Sequence, residues 1–348
     1  MRAITVVPGA ADRTRLEERP EPPEDDGSVL VEGHLLGICG TDVDIVRHGY
    51  GTPPPGRPRL VPGHESLGRV RDAPPDSGLA TGDAVAGIVR RPDPVPCPPC
   101  AVGDWDFCRN GRYTERGIKE RDGFAAERWR ADPEFVVRLD PALGDSGVLV
   151  EPASVLAKAW EQVTRITARS SARPRRTLVT GAGPIGLLAA LLSTQHGMET
   201  HVLDLDDSGP KPTLVRDLGG FFHTGDVRDL GLVPDVVIEC TGHGPLVFEL
   251  CGAVAPNAVI CLTGVSSGSH SVRVSADELN KEMVLENRVI FGTVNAARRH
   301  YEQAAAALLR ADRPWLERLL TRRVPMGDFT DALDKGAEDI KGVVDLRA

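Results

Sequence analysis

Residues 177–186 read TLVTGAGPIG. A β-prone run, TLVT, meets the spacing Gly181-x-Gly183-x-x-Gly186, and an apolar stretch continues from Ile185 to about His196. That order of strand, glycine turn and helix is what a dinucleotide phosphate site requires. The first glycine permits a tight turn, the second lets backbone approach a pyrophosphate, and the third lets the helix pack on the sheet with its N-terminus facing the anion. Pro184 and Ile185, between the second and third glycines, are read with them as cofactor contacts. A second strand, HVL, ends at Asp204, eighteen residues after Gly186, where a carboxylate accepts hydrogen bonds from the adenosine ribose. Asp206 and Asp207 follow, and three carboxylates repel a 2′-phosphate, so the sequence favours NAD over NADP; Lys211 and Arg216 are the nearby cations that could reverse this.

Outward from this segment, strand-like and helical runs alternate. THVLDL (200–205), PTLVRDLG (212–219), FFHT (221–224), DVVIECT (235–241), PLVFELCGAV (245–254), AVICLTGV (258–265) and NRVIFGTV (287–294) specify a parallel, doubly wound α/β sheet. Thr241, at the end of DVVIECT, is placed at the cofactor. Only ten residues separate 221–224 from 235–241, which predicts a loop there in place of a crossover helix. Before the sheet, residues 151–170 carry apolar positions at a helical period, and the first 150 residues are rich in Pro, Gly and short β-like runs such as 28–38 and 67–73. An Ala-rich helix is predicted near 298–311, and the final VVDLRA could return to the first domain. The expected division is 1–170 with 296–348 as a mostly-β catalytic domain, and 171–295 as the dinucleotide-binding domain.

The chain has 348 residues and a formal charge of −9. An acidic balance without a Lys/Arg-rich run argues against nucleic acid and against anionic membrane surfaces. The longest strongly apolar stretch, 185–192, is eight residues, far below the ~20 that span a bilayer. The N-terminus lacks the pattern of a secretory signal, so a soluble, cytoplasmic protein is expected. Its seven cysteines are then better read as thiols or metal ligands than as disulfides.

Two groups of candidate zinc ligands precede the glycine segment. Cys97-x2-Cys100-x7-Cys108 places three thiolates within twelve residues, and Asp93, four residues upstream, could supply a fourth donor to a structural zinc site. The second group is dispersed: Cys39 in GICGTD, His64 and Glu65 in PGHESLG, and Glu151 in LVEPAS. Cys, His and carboxylate from distant segments would leave one position open for substrate, as catalytic zinc requires. Taken singly, each has an ordinary structural reading.

GICGTD, PGHESLG, the cysteine cluster, LVEP, VTGAGPIG, DVVIECTG and FGTVNA follow one another as in the medium-chain dehydrogenase/reductase superfamily, which the chain resembles along nearly its whole length. Residues 107–129 and 292–304 resemble its zinc-dependent glucose 1-dehydrogenase branch. The resemblance implies a GroES-like mostly-β catalytic domain and a Rossmann cofactor domain. It implies that Cys39, His64 and Glu151 surround the catalytic zinc, with Glu65 as an alternate ligand or neighbour. Thr41 would hydrogen-bond the reacting hydroxyl, Glu115 and Asn295 would reach other sugar hydroxyls, Glu151 with Glu115 would orient the ring, and Asn295 would also touch the cofactor. The implied activity is oxidation of an aldopyranose at C1 to the lactone. The alternatives are oxidation of a secondary alcohol in a polyol, cyclitol or amino sugar, and a catalytically silent dinucleotide-binding protein. A homodimer or homotetramer is expected from the same resemblance.

Three departures stand out. Asp44 occupies the position of a common proton-relay His, so the relay would run through Asp44 or Glu65. Val89 stands where some relatives carry Asn, and the usual first structural-zinc Cys is absent, which leaves Asp93 as a substitute.

Overall fold

The computed structural model describes the chain apart from Ser267 and Ala337. It divides into two compact units, Met1–Ser154 with Asn295–Ala348, and Val155–Val294. The first boundary falls inside the helix Val150–Thr167, earlier than the 170/171 break expected from composition. Composition marks where that helix ends; the change of packing partners comes before its end.

In the second unit six parallel strands lie in the order Phe221–His223, Glu199–Leu203, Arg176–Thr180, Val236–Glu239, Val259–Leu262 and Val289–Gly292. In chain order this is third, second, first, fourth, fifth, sixth, the doubly wound arrangement whose direction reverses beside the first strand. The strands are short runs of Val, Ile and Leu because both sheet faces are covered; Leu178, Val237 and Ile260 are almost fully buried in one core cluster with Leu250. The helix Pro184–Gln195 is buried continuously from Gly186 to Ser193, which is why its sequence is apolar all round and not striped. Between the strands at 221–223 and 236–239 the chain makes only the short 3-10 turn Val227–Asp229, as the ten-residue spacing predicts. The sequence reading did not place the helix Ala276–Leu285: none of its residues is fully buried, and its apolar face is the short set Ala276, Leu279 and Met283.

The first unit is built on a seven-stranded sheet. Its path runs Val136–Arg138, Ala84–Gly87, Glu65–Asp72, Val29–Gly37, Lys341–Asp345, Leu320–Pro325, with Arg128–Ala131 also paired to Val29–Gly37. Two registers position the candidate metal ligands. Gly37 pairs with Glu65, which brings GICGTD beside PGHES. The C-terminal strand pairs antiparallel with the same strand, Val344 opposite Leu36, and the Ile38 N–H donates to Gly342 O at 3.0 Å. A smaller three-stranded sheet joins Arg90–Arg91, Thr114–Arg116 and Glu120–Arg121. Among the described residues no helix is long and apolar enough to cross a membrane.

Val344 is fully buried in this returning strand. Val344→Asp is expected to lower the unfolding free energy by about 3 kcal/mol or more, because it buries an unpaired carboxylate. A urea titration of the two proteins measures this.

Candidate active site and cofactor loop

Cys39 ends the extended run of Val29–Gly37 and caps the short helix Gly40–Val43, its sulfur accepting from the Thr41 N–H at 3.2 Å. The capping is reciprocal, because Asp42 Oδ2 accepts from the Cys39 N–H at 2.9 Å. His64 and Glu65 arrive on the neighbouring strand, so Cys39 Sγ lies 3.0 Å from His64 Nε2. Donor atoms of Cys39, His64 and Glu65 all lie within 4.8 Å of one another. Asp42 Oδ1 sits 3.6 Å from His64 Nδ1 on the far side of the ring. Below the cluster the buried Lys341 forms an ion pair with Glu65, and its Nζ donates to Ile38 O at 2.8 Å.

Burial competes with neighbouring charges throughout the site. It opposes charging of His64, but the Cys39 and Asp42 charges outweigh it and hold the imidazole well above its usual pKa. Burial raises the Asp42 carboxyl, against the pull of His64. Lys341 is held above the ordinary ammonium value, because Glu65 and Cys39 outweigh its desolvation. Glu151, at the start of the helix Val150–Thr167, is pushed up to about 7 by burial, with His64 working against the shift and Glu65 adding to it. Its carboxylate is not among the three donors that lie within 4.8 Å of one another. A cysteine sulfur, an imidazole and a carboxylate meeting in one buried pocket form a donor set that suits a divalent zinc ion. Among the described residues His64 Nδ1 and Asp42 Oδ1 have no hydrogen-bond partner.

Thr41 and Asp44 lie on the same short helical segment as Cys39, Asp44 opening the next turn at Asp44–His48. Glu115 is placed differently from a solvated charge. It is 8% exposed, and its Oε1 accepts from Arg90 Nε at 3.1 Å, Arg90 Nη2 at 2.9 Å and Asn295 Nδ2 at 2.8 Å. Asn295 holds a left-handed φ of 61°, which Asn tolerates better than most side chains, and its Oδ1 accepts from the Ala296 N–H at 2.9 Å. Val89 is buried, and its N–H donates to Tyr301 Oη at 3.3 Å.

In the cysteine lobe Cys97, Cys100 and Cys108 present their sulfurs within 4.8 Å of one another. N–H groups of Arg109 and Cys100 bring the Cys97 thiol down to about 7, while burial pushes Cys100 up to about 12. Asp93 does not join the three sulfurs. Its Oδ1 accepts from the Val95 N–H at 2.9 Å, and its Oδ2 from Asn110 Nδ2 at 2.9 Å and Arg112 Nε at 3.1 Å. With both oxygens engaged locally, its carboxylate braces the loop around the thiols.

In the second unit Gly181 has φ +85°, and a Cβ on Gly186 would lie 1.7 Å from Gly181 O. Gly183 caps the helix Pro184–Gln195 and would meet nothing within 4 Å, which leaves backbone open to an anion. Asp204 is partly consumed by its own loop: Oδ2 accepts from the Ala182 N–H at 2.6 Å and Lys211 Nζ at 3.3 Å, and Oδ1 from the Leu205 N–H at 2.7 Å. Lys211 therefore offsets charge that the sequence counts against a 2′-phosphate. Thr241 packs against Gly181, and both its N–H and its hydroxyl donate to the fully buried Glu239.

Sequence reasoning missed Asp42, Lys341, Arg90 and Glu239. Asp42 had a signal, three residues after a capping Cys39, and so did Glu239, a lone carboxylate in the apolar run VVIE. Lys341 and Arg90 had none, since their partners are distant in the chain.

A glycine loop of dinucleotide-binding type on a doubly wound sheet, and a cysteine–imidazole–carboxylate cluster on a mostly-β unit, define a zinc-type dehydrogenase. Residues 25–141 match the family model for the alcohol dehydrogenase GroES-like domain, and 144–346 match the glucose dehydrogenase C-terminus. The chain is 34% identical to glucose 1-dehydrogenase of Methanocella arvoryzae and 36% identical to that of Thermoproteus tenax, with 100% of each chain covered in both comparisons. It superposes with a TM-score of 0.91 and 31% identity, over 99% of each chain, on Haloferax mediterranei glucose dehydrogenase in complex with NADP, Zn and gluconolactone. The chain belongs to the zinc-dependent glucose dehydrogenase branch of the medium-chain dehydrogenase/reductase superfamily.

Lys341→Met leaves the Glu65 carboxylate buried without its partner. The expected loss of stability is about 3 to 5 kcal/mol, and Glu65→Gln in the same background should restore part of it. Denaturant titration of the single and double variants provides the comparison.

Proposed function

We propose that this chain oxidises an aldopyranose at C1 to the lactone, with NAD(P) as hydride acceptor. The observation that carries the reading is the meeting of Cys39, His64 and Glu65 donors within 4.8 Å, in a chain whose Haloferax mediterranei relative binds NADP, Zn and gluconolactone. Cys39 and His64 would hold the catalytic zinc, with Glu65 or Glu151 as the carboxylate, and Cys97, Cys100 and Cys108 would hold a structural one. When bound, zinc supplies a Lewis acid that acidifies the C1 hydroxyl, and the nicotinamide supplies the hydride acceptor.

The protein's own residues supply position and proton transfer. Thr41, next but one to Cys39, would take the hydroxyl proton, and Asp44 or Glu65 would pass it to solvent. Asp42 Oδ1 faces the far side of the His64 ring at 3.6 Å, where its charge favours the imidazolium. Arg90 and Asn295 gather on Oε1 of Glu115, so Oε2 can be offered to a sugar hydroxyl in one orientation, which brings the ring towards reactive geometry. Gly181, Gly183, Pro184, Ile185, Gly186 and Thr241 would cradle the pyrophosphate side of the cofactor, and Asp204 the ribose.

Cys39→Ser is expected to lower kcat/KM for glucose by at least about a thousandfold. Zinc per chain should fall from about two to about one. A lactone that hydrolyses to an acid is the expected product; a stable ketone would place the chemistry on a secondary alcohol instead. Near-normal turnover of Cys39→Ser with full zinc content would refute the assignment.

For the cofactor, Asp206 and Asp207 support NAD, while the Lys211–Asp204 pair supports tolerance of NADP. Lys211→Ala should lower kcat/KM for NADP by about tenfold and change that for NAD much less. An equal effect on both cofactors would show that Lys211 does not face the 2′-position.

A further inference from the structure

Tyr301 is fully buried on the helix Arg298–Leu309, and the reaction proposed above makes no use of its hydroxyl. A buried hydroxyl is costly unless it is hydrogen-bonded, and this one is met from two directions. Its Oη accepts from the Val89 N–H at 3.3 Å, and it is hydrogen-bonded to Ser154, itself fully buried. The donor inventory fixes the direction of each bond. Ser154 Oγ donates to Glu151 O at 2.6 Å, which commits its proton, so it accepts the proton of Tyr301. The result is a single directed chain from the Val89 N–H, through the Tyr301 and Ser154 hydroxyls, to the Glu151 carbonyl. Hydrogen bonds linked in this way strengthen one another. Burial and the charge of Glu151 hold the phenol well above its usual pKa, so it remains a donor.

The ends of this chain lie beside the two carboxylates assigned to the site. At one end, Val89 directly precedes the strand Arg90–Arg91, in which Arg90 pairs with Glu115. Val89 O accepts from the Arg116 N–H at 3.0 Å, so the two polar groups of Val89 join Tyr301 to the strand that carries Glu115. At the other end, Glu151 and Ser154 stand in the first turns of the helix Val150–Thr167. Tyr301 also lies on the segment that begins with Asn295, and Asn295 and Arg90 converge on Glu115 Oε1. One hydroxyl thus sets the spacing between the segment of Asn295, the strand of Arg90 and the helix of Glu151.

We propose that Tyr301 is a positioning residue for sugar recognition, whose hydroxyl holds Glu115 and Glu151 at the spacing that fits one pyranose. The inference rests on the reading above, in which Glu115 meets the sugar and Glu151 stands at the metal or the ring. Without the hydroxyl each segment keeps its own fold but can shift against the others, and recognition by hydrogen bonds is sensitive to such shifts.

The test is steady-state kinetics of the intact, zinc-loaded enzyme with glucose and its C2 and C4 epimers, mannose and galactose. Tyr301→Phe keeps the ring and removes the hydroxyl. Its KM for glucose should rise about tenfold while kcat falls no more than about threefold, the pattern of binding lost in ground and transition states alike. The preference for the best sugar over the other two, as a ratio of kcat/KM, should shrink about fivefold. Zinc per chain and the KM for the nicotinamide cofactor should stay within about twofold of the wild type. Ser154→Ala breaks the same chain and should raise the KM about fivefold or more, and the double variant should stay within about twofold of Tyr301→Phe. A merely structural role would lower the unfolding midpoint and leave both the KM and the sugar preference unchanged, and that result overturns the proposal. Effects that multiply in the double variant overturn it as well. Should Tyr301→Phe not fold, Ser154→Ala decides alone. The reading of the reaction is judged separately, by whether the wild-type product is a lactone; if it is a ketone, the same ratios are read on the alcohol that is oxidised.

Discussion

The ion pair between Lys341 and Glu65 is the contact on which the first unit's chemistry depends. Both side chains are almost fully buried, and such a pair is tolerable only when every charge in it is met. Glu65 comes from the strand opposite Gly37 and Lys341 from the strand that returns at the end of the chain. Their pairing ties the two neighbours of Val29–Gly37 together directly beneath Cys39. The Lys341 ammonium also donates to Ile38 O, so the backbone leading into Cys39 is held by the same cation that balances Glu65. A cluster rich in anionic donors can stay assembled in a low-dielectric interior because this cation lies under it.

The second unit rests on a steric constraint. Gly186 lies against Gly181 O so closely that no side chain fits between them, which draws the start of the helix onto the first strand. The loop is braced from two sides, by Asp204 on the Ala182 N–H and by Thr241 against Gly181, and Thr241 is itself fixed by the buried Glu239. The backbone around Gly183 is left as the open part of the loop. Rigid support around an exposed donor surface is what anion recognition needs, because no ordering cost then falls on binding.

Much of this was legible in the chain. The glycine spacing, the following acid and the alternation of β-branched and helical runs state a doubly wound sheet, because each carries a local steric or periodic requirement. The short connection before Val236–Glu239 was legible from its length alone. The helix Ala276–Leu285 was not, since only Leu279 and Met283 on its apolar side are half-buried and the trace is short. The resemblance set Cys39, His64 and Glu151 around the metal with Glu65 as an alternate or neighbour; it is the register Gly37 to Glu65 that brings Glu65, and not Glu151, into the cluster with the other two. Asp93 was selected for its place four residues before Cys97; its oxygens instead satisfy Val95, Asn110 and Arg112.

The sequence by itself determined what short-range physics can encode: the strand–glycine–helix loop, the periods of the core elements and the chemical types of the candidate donors. The tertiary structure decided which of those donors meet. It set Lys341 under Glu65, gathered Arg90 and Asn295 on Glu115, and let Lys211 neutralise Asp204. These are contacts between residues far apart in the chain or on neighbouring turns, and charge balance in a buried site depends on distance in space, about which spacing along the chain says nothing.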